Sequence, residues 1–457
     1  MIRSDRRQAG RRAIAAAAAL LVLIGAGCTS VRQARQAQKA SSIPPGERTL
    51  TAAEIGLNSN SVLTLDEALR IALAYHPSIA QASQSVVAAS AQLRQARAGY
   101  GPSVDGSASY GRSTSNAKGT PVSNKSSESY RGGIGLDMLI YDFGKTPAAV
   151  RQARLRQLAA ECSLQAARND VAYNTRTAFF NLGKAQELLQ VAEEAVGQYS
   201  AHLEQVRTFA EMGRLTRYDV TKSDVDLGNA RLSLITAQAD LTSAHAVLNR
   251  SLGLAEEPSY RIAISSFEEI SANTDDLMAA ARKKHPELLA LQAQELAASA
   301  SVDATIAELY PALKLQAEYA LSGAAFPLIW NWSGVLQAAF PLFSAGRKTA
   351  AIDESVTQLR TARARTADRE QQIRVDLAGA VSQLDSARQR MQLTALIARQ
   401  AKESLDLINE RYRLGKAAAV EVTDAQVTST SAQADQVKAR FEYQTAAAQI
   451  KHAIGEE

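Results

Sequence analysis

Residues 134–145, IGLDMLIYDFGK, join two kinds of structure. Ile134, Leu136, Met138 and Ile140 alternate with other residues at period two, the pattern of a strand with one apolar face. Past Gly144 the pattern changes. No proline occurs from 148 to 257, and proline is what breaks helix interiors. The segment predicts a strand that runs into a helix of about 145–212, roughly 100 Å long at 1.5 Å per residue. Upstream, Val104, Gly106, Ala108 and Tyr110 alternate with Ser103, Asp105, Ser107 and Ser109. This gives strands at about 102–112 and 130–143 around a Ser/Asn/Lys-rich loop at about 113–128. Helices 65–99 and 216–252 could lie end to end beside the long one. The second carries a heptad stripe, Leu234, Ala237, Leu241, Ala244 and Leu248, in which alternating Leu and Ala lets helices approach closely.

The unit occurs twice. His76-Pro77 recurs as His285-Pro286, and Pro102 as Pro311, both at an offset of 209. Tyr141–Lys145 recurs as Phe343–Arg347, Met212-Gly213-Arg214 as Leu414-Gly415-Lys416, and Leu252-Gly253 as Ile454-Gly455, all at 202. One seven-residue insertion in the first hairpin explains both offsets. The second copy has its own alternating runs, with strands at about 311–321 and 329–343, and the Trp330 and Trp332 pair begins the last. The expected organisation is a first repeat at 63–253, a mixed connector at 254–276 and a second repeat at 277–457. Strands of this length cross an outer membrane when tilted. Four cannot close a barrel, and an open edge in lipid leaves backbone groups unpaired. Membrane strands thus demand an oligomer: two chains give eight strands, three give twelve.

The N-terminus reads as an address. Five arginines within the first 12 residues precede the apolar run AIAAAAALLVLI at 13–24 and then Gly25-Ala26-Gly27-Cys28. That is a secretory signal over 1–27 followed by a tether over 28–62, and the run is too short to span. A small-small-Cys ending resembles a lipobox with Cys28 as the lipidated residue; ordinary cleavage is the alternative. The formal charge of +5 falls to about +1 once the segment's five arginines and one aspartate are removed. Nucleic-acid binding thus has no electrostatic support. Cys162 reads as a packing residue.

The order of these features resembles the TolC-type outer-membrane efflux and secretion channels over about 400 residues. The resemblance rests on the duplicated unit, on Pro102 and Pro311 at strand entry, on Gly144 and Gly346 at the return, and on the Gly-x5-acid-Val turns at 213–220 and 415–422. It implies a mainly α fold with membrane β-structure: a homotrimer whose 12-stranded barrel continues into a long α-helical barrel. It implies an outer-membrane channel of a Gram-negative bacterium, largely periplasmic. Its partners would be outer-membrane lipid, a periplasmic adaptor, and an inner-membrane pump of the proton-driven or ABC type. Cargo would be drugs or type I secreted polypeptides; Cys28 points to the first and the YDFGK return to the second. The adaptor would meet the tips, Gly213, Arg214, Gly415 and Lys416, with Leu215 and Ala417 also exposed. Glu421 and Asp424 would form acidic rings at the periplasmic entrance, and Asp219 would hold the gate through Tyr412. The family's arginine two residues past the second tip glycine is absent; Ala417 stands there, beside Lys416.

Other chemistry is not encoded. Gly144-Lys145-Thr146 lacks the earlier glycine of a phosphate-binding loop, because Leu139 occupies its place. The five histidines, 76, 202, 245, 285 and 452, have no metal-ligand spacing, and no nucleophile motif occurs, so neither a cofactor, a metal nor an enzyme is expected. His76 and His285 read as structural repeats. The rival to a channel is a periplasmic coiled-coil adaptor or a structural helical protein without a pore.

Overall fold

The computed structural model describes residues 32, 34, 35, 62–114, 126–254, 260–263 and 274–456. The chain divides into two compact units, Met1–Thr49 and Leu50–Glu457. In the first, residues 32, 34 and 35 are helical. Cys28, the signal segment and nearly all of the tether lie outside the described residues.

The second unit runs β1 (Val62–Leu63), α1 (Leu65–Tyr75), α2 (Pro77–Ala98), β2 (Ser103–Thr114), β3 (Ser126–Tyr141), α3 (Lys145–Glu211) and α4 (Arg217–Leu252). The order then repeats as β4 (Arg261–Ile262), α5 (Thr274–Lys284), α6 (Pro286–Ala307), β5 (Ala312–Gly323), β6 (Ile329–Ala339), α7 (Arg347–Arg413) and α8 (Ala419–Ile454). Equivalent helices have identical lengths in the two copies: 11, 22, 67 and 36 residues. A short parallel pairing, Val62 with Arg261 and Leu63 with Ile262, ties the start of one copy to the start of the other. The connector is therefore partly structured, and no periodicity in two residues could have announced it.

The expected helix 65–99 is two helices. Pro77 has no N–H to continue α1, so it begins α2 as its first residue, and His76 caps it by accepting from the Ser78 N–H at 3.2 Å. Pro147 does not break α3, because it lies in the first turn, where N–H groups are unpaired anyway. The strands also shift: β2 and β3 extend two to four residues into the loop, while β6 ends at Ala339, before Pro341.

α3 and α7 run the full length. Nearer the strands the helices stand in a row α2–α3–α6–α7; beyond the break the row is α4–α3–α8–α7. α4 ends where α2 starts, and α8 where α6 starts. Gly253 adopts φ +77°, and a Cβ there would lie 3.2 Å from Pro77 Cδ. At Gly455, φ is +85° and a Cβ would lie 2.7 Å from Pro286 Cδ and 2.9 Å from His285 Cα. Only glycine satisfies both demands. Gly455→Ala is expected to cost roughly 2–3 kcal/mol, from left-handed strain of about 1–2 kcal/mol plus displacement of Pro286. Gly379→Ala, mid-helix with open space at its Cβ, should be neutral or stabilising by up to about 1 kcal/mol. Amide exchange at the end of α8 reads both.

The main core gathers at this break. Phe179, Leu182, Leu248, Leu252 and Phe441 are buried there with Tyr260, whose O–H donates to Asn249 Oδ1 at 2.7 Å. The heptad stripe of α4 turns toward α3, from half-buried Leu234 to fully buried Leu248. Among the described residues no helix is long and apolar enough to cross a membrane.

Candidate functional site

β2, β3, β5 and β6 form one antiparallel sheet in that order, open at both edges. Its register aligns the alternating sets across all four strands. Val104 faces Leu136, Leu136 faces Ala317, and Ala317 faces Gly334. Gly106, Ile134, Tyr319 and Trp332 form the next row, and Met138, Leu315 and Leu336 the row on the other side. One face of the sheet is therefore continuously apolar. The opposite face carries Ser103, Asp105, Ser107, Asp137, Gln316 and Gln337. Gln316 donates to Asp137 at 2.8 Å, and Arg131 pairs with Glu318 at 2.6 Å. Such a sheet suits lipid on one side and water on the other.

Aromatic residues gather at both ends of the apolar face. At the loop end Tyr110 lies 5.0 Å from Tyr130, Tyr130 lies 5.4 Å from Phe326, and Trp330 stacks on Tyr319 at 6.5 Å. At the helix end Phe143 contacts Tyr141 at 4.8 Å and Tyr310 at 5.8 Å, beside exposed Phe340. Tyr319 and Tyr310 are nine residues apart, about 30 Å along a strand and about 23 Å after a 40° tilt, close to the hydrocarbon height of an outer membrane. The second belt could have been found in the sequence from its clustering around the returns.

At each return the backbone turns left-handed twice, at Phe143 (φ 54°) and Gly144 (φ 100°), and at Ala345 (φ 48°) and Gly346 (φ 81°). Buried Asp142 supports the first by accepting from the Thr146 N–H at 2.7 Å. Ser344 holds that place in the second copy. Pro102 and Pro311 stand immediately before β2 and β5.

Two stretches, 68–254 and 277–456, match the model of a family described as outer membrane efflux protein. The chain belongs to the outer membrane efflux protein family. It is 24% identical over 327 residues to the outer membrane efflux protein BepC of Brucella suis, covering 71% of each chain. Its fold is that of a membrane protein from Pseudomonas aeruginosa, with TM-score 0.79, 21% identity and coverage of 88% of this chain and 93% of that one. It is likewise that of CusC, with TM-score 0.79, 18% identity and coverage of 92% and 99%. The two-faced sheet is thus the outer-membrane part of this efflux protein, and the long helices are its periplasmic part.

The tips of this efflux protein lie at the far end of α3 and α7. Gly213 (φ 73°) and Gly415 (φ 70°) are left-handed. At the first tip Arg214 N–H donates to Phe209 O at 2.9 Å and Gly213 N–H to Ala210 O at 2.9 Å; Lys416 and Gly415 do the same with Arg411 and Tyr412 at 2.8 and 2.9 Å. These paired bonds close both helices with the Schellman pattern. Arg214 and Lys416 are exposed, but Leu215 and Ala417 are not free as expected. They pack against a cluster of Val206, Tyr412 and Val422, since a tight turn folds its second residue back onto the helices. The exposed apolar residues are instead Met212 and Leu414, one before each glycine, with Tyr218 beyond the first and Val420 beyond the second.

The entrance acids have local duties. Asp219 Oδ2 accepts from the Thr216 N–H at 2.8 Å and hydroxyl at 2.7 Å, while Asp219 N–H donates to Thr216 Oγ1 at 3.4 Å. That is a capping box. These bonds hold the Asp219 carboxyl below its usual range. Glu421 reaches back likewise, accepting from the Ala418 N–H at 3.0 Å, with Arg411 3.9 Å away. Asp424 is exposed on the same helix.

Tyr412 is buried, and its hydroxyl has no hydrogen-bond partner among the described residues. Burial first, and then the charge of Asp219, push that hydroxyl's pKa up. The implied Asp219–Tyr412 pair is therefore close but not hydrogen-bonded in this single chain. Tyr412 is held by rings, 5.5 Å from both His202 and Phe209. His202 is a tip residue that no sequence signal singles out, because a lone histidine on an apolar face has no spacing pattern. Burial lowers its pKa.

His76, His245 and His285 are lowered by burial too. A depressed histidine contributes stability that is complete above its free value of 6.5 and is lost as pH falls through the lowered folded value. The helical part should therefore lose stability from about pH 6.5 downward. Thermal melts at stepped pH check this; a midpoint unchanged down to pH 5 contradicts it.

Proposed function

We propose that three copies of this chain assemble into a 12-stranded barrel continued by an α-helical tube, and that the assembly passes small molecules outward from a periplasmic adaptor and an inner-membrane pump. The register-wide separation of an apolar from a polar face on an open four-stranded sheet carries the reading. Closure needs at least eight strands, so β2 and β6 must meet edges from neighbours. The helices support the same contact. Val225 and Leu232 on α4, and Leu393 and Ile397 on α7, are exposed apolar residues on helices at opposite ends of the row. A head-to-tail ring covers both. A soluble adaptor or filament would have no use for the apolar face.

Efflux of small molecules is favoured over polypeptide secretion because two relatives from Pseudomonas putida, each 23% identical over 287 residues, are named as outer membrane proteins of a solvent and a toluene efflux pump. Arg214 and Lys416, flanked by Met212 and Leu414, would form the docking surface for the adaptor. Charge reversal at both basic residues should lower export without lowering the amount of trimer.

Asp424 and Glu421 would line the entrance as two rings of carboxylates, attracting cations. Since Glu421 already caps α8, Asp424 should dominate. Single-channel recording of the purified protein in a planar bilayer tests the reading: a pore must appear, and Asp424→Asn must reduce cation selectivity. No conductance at all would refute the channel; unchanged selectivity would refute only the entrance.

A further inference from the structure

Inside the chain the first copy packs on the second through α3 against α6 and β3 against β5. In a ring the copies meet again between chains, where α7 and β6 reach α2 and β2 of the next. The two hairpins have one register: Ser103 stands opposite Asp137 and Ala312 opposite Ala339, related by the offsets of 209 and 202. The seam inside the chain is therefore a pattern for the seam between chains.

The β3–β5 register, carried over by those offsets, puts Leu336 opposite Tyr110 of the next copy, as Ile134 stands opposite Tyr319. Ala338 falls opposite Ala108, as Leu136 stands opposite Ala317, and Ala339 meets Ser107 on the other face, as Asp137 meets Gln316. Apolar side chains meet apolar ones, and a slip by one residue would set the two faces against each other.

The helices add a second observation. Inside the chain Arg151 of α3 pairs with Asp303 of α6. The equivalent positions at the outer seam are Asp353 of α7 and Arg94 of α2. The charges are exchanged and remain complementary. Both side chains are exposed, on helices at opposite ends of the row α2–α3–α6–α7, and neither has an ion pair among the described residues. Lys145 pairs with Glu308 at 2.8 Å, but Arg347 and Gly99 hold the equivalent places, so that pair is not kept. Glu187 and Arg440, paired between α3 and α8, become Gln389 and Gln238, two amides that leave no charge unmatched.

We propose that neighbouring chains meet as the two copies meet, with one ion pair reversed: Asp353 to Arg94 of the next copy. This seam presupposes the ring of three chains. The reversal sorts the edges. If α3 took another chain's α2 in place of its own α6, Arg151 would face Arg94. If α7 took another chain's α6, Asp353 would face Asp303. Both errors bring like charges together, so each copy joins only the other kind and the chains run head to tail. An exposed pair adds little to stability; its use lies in rejecting the wrong edge.

Arg94→Lys keeps the charge and offers an amine. In the full-length variant in detergent, a water-soluble carbodiimide joins that Nζ to a carboxylate as an amide and takes up the lost oxygen as its urea. Bands of two and three chains are expected on a denaturing gel, containing a peptide that joins position 94 to Asp353. Positions at opposite ends of one row cannot be joined within a chain. Asp353→Asn should lose the link, and Asp368, about 22 Å farther along α7, should not take its place. Light scattering reads the mass before linking. A single-chain mass overturns the ring and this seam together; a trimer without the 94–353 link overturns the seam alone. Asp353→Arg should lower the trimer fraction about threefold or more at low salt. Adding Arg94→Asp should restore the contact but, with both seams of one polarity, also give assemblies of more than three chains. Full trimer yield from the single reversal overturns the sorting.

Discussion

Leu136→Arg should abolish insertion of the protein into lipid. Leu136 stands mid-strand in β3, with Val104 and Ala317 as its neighbours on the apolar face. An arginine on the lipid face costs up to roughly 2–4 kcal/mol, the full amount at the midplane and less one row from a belt, where Leu136 stands. An assembly of three chains repeats that cost, giving up to roughly 6–12 kcal/mol. Stability of a whole domain is of order 5–15 kcal/mol, so the loss is comparable with everything that holds the barrel. The matched control is Ser107→Arg, opposite Gly133 on the polar face. It meets water and should insert normally. Folding into lipid vesicles, followed by the mobility difference between unheated and boiled samples on a denaturing gel, reads both. Equal insertion of the two variants would mean that the sheet does not present this face to lipid.

Tyr412→Ala should open the periplasmic entrance. The ring is buried between His202 and Phe209 and joins the second-copy helix α7 to the first-copy helix α3. Removing a buried aromatic typically costs about 3–5 kcal/mol. Here the loss falls on the last turn of α7, so it acts on the tip and not on the barrel. Resting conductance in planar bilayers should rise severalfold while the trimer survives. Tyr412→Phe separates packing from hydrogen bonding. The hydroxyl has no partner among the described residues, so its removal should change stability by less than about 1 kcal/mol and leave conductance near the original. If Phe opens the channel as fully as Ala, a hydrogen bond from a neighbouring chain closes the gate. Asp219→Ala removes the capping box and should cost about 1 kcal/mol of helix stability, seen as faster amide exchange in the first turn of α4.

The strands, the long helices, the tip glycines and the duplication were legible because each has a local cause. Period two in 134–140 means a strand whatever surrounds it. A hundred residues without proline permit a 67-residue helix. A glycine after the last helical turn marks a left-handed close, as at Gly213 and Gly415. The repeat was readable because duplicated units keep the same local signals at the same spacing. The sequence also carried the wrong cue in one place: His76-Pro77 lay inside an expected helix, although Pro77 itself supplies the reason for the break.

What depended on distance along the chain was not legible. That Val104, Leu136, Ala317 and Gly334 lie in one row follows from register between strands more than 170 residues apart, and register is a property of pairs. The β1–β4 pairing is too short to show any period. Leu215 and Ala417 turned inward, and Met212 and Leu414 outward, because the Schellman turn directs them, not because of their own hydrophobicity. His202 became a tip residue only when α3 brought it against Tyr412. A cavity beside His285 arises from residues spread over 290 positions, from Ser163 to His452, and an unfilled space between four helices leaves no mark on any one of them. The sequence by itself determined the elements and their order, since these follow from backbone propensity and from which side chains share a face. The tertiary structure alone decided which polar atoms are paired and which are left waiting, since pairing needs two groups in one place.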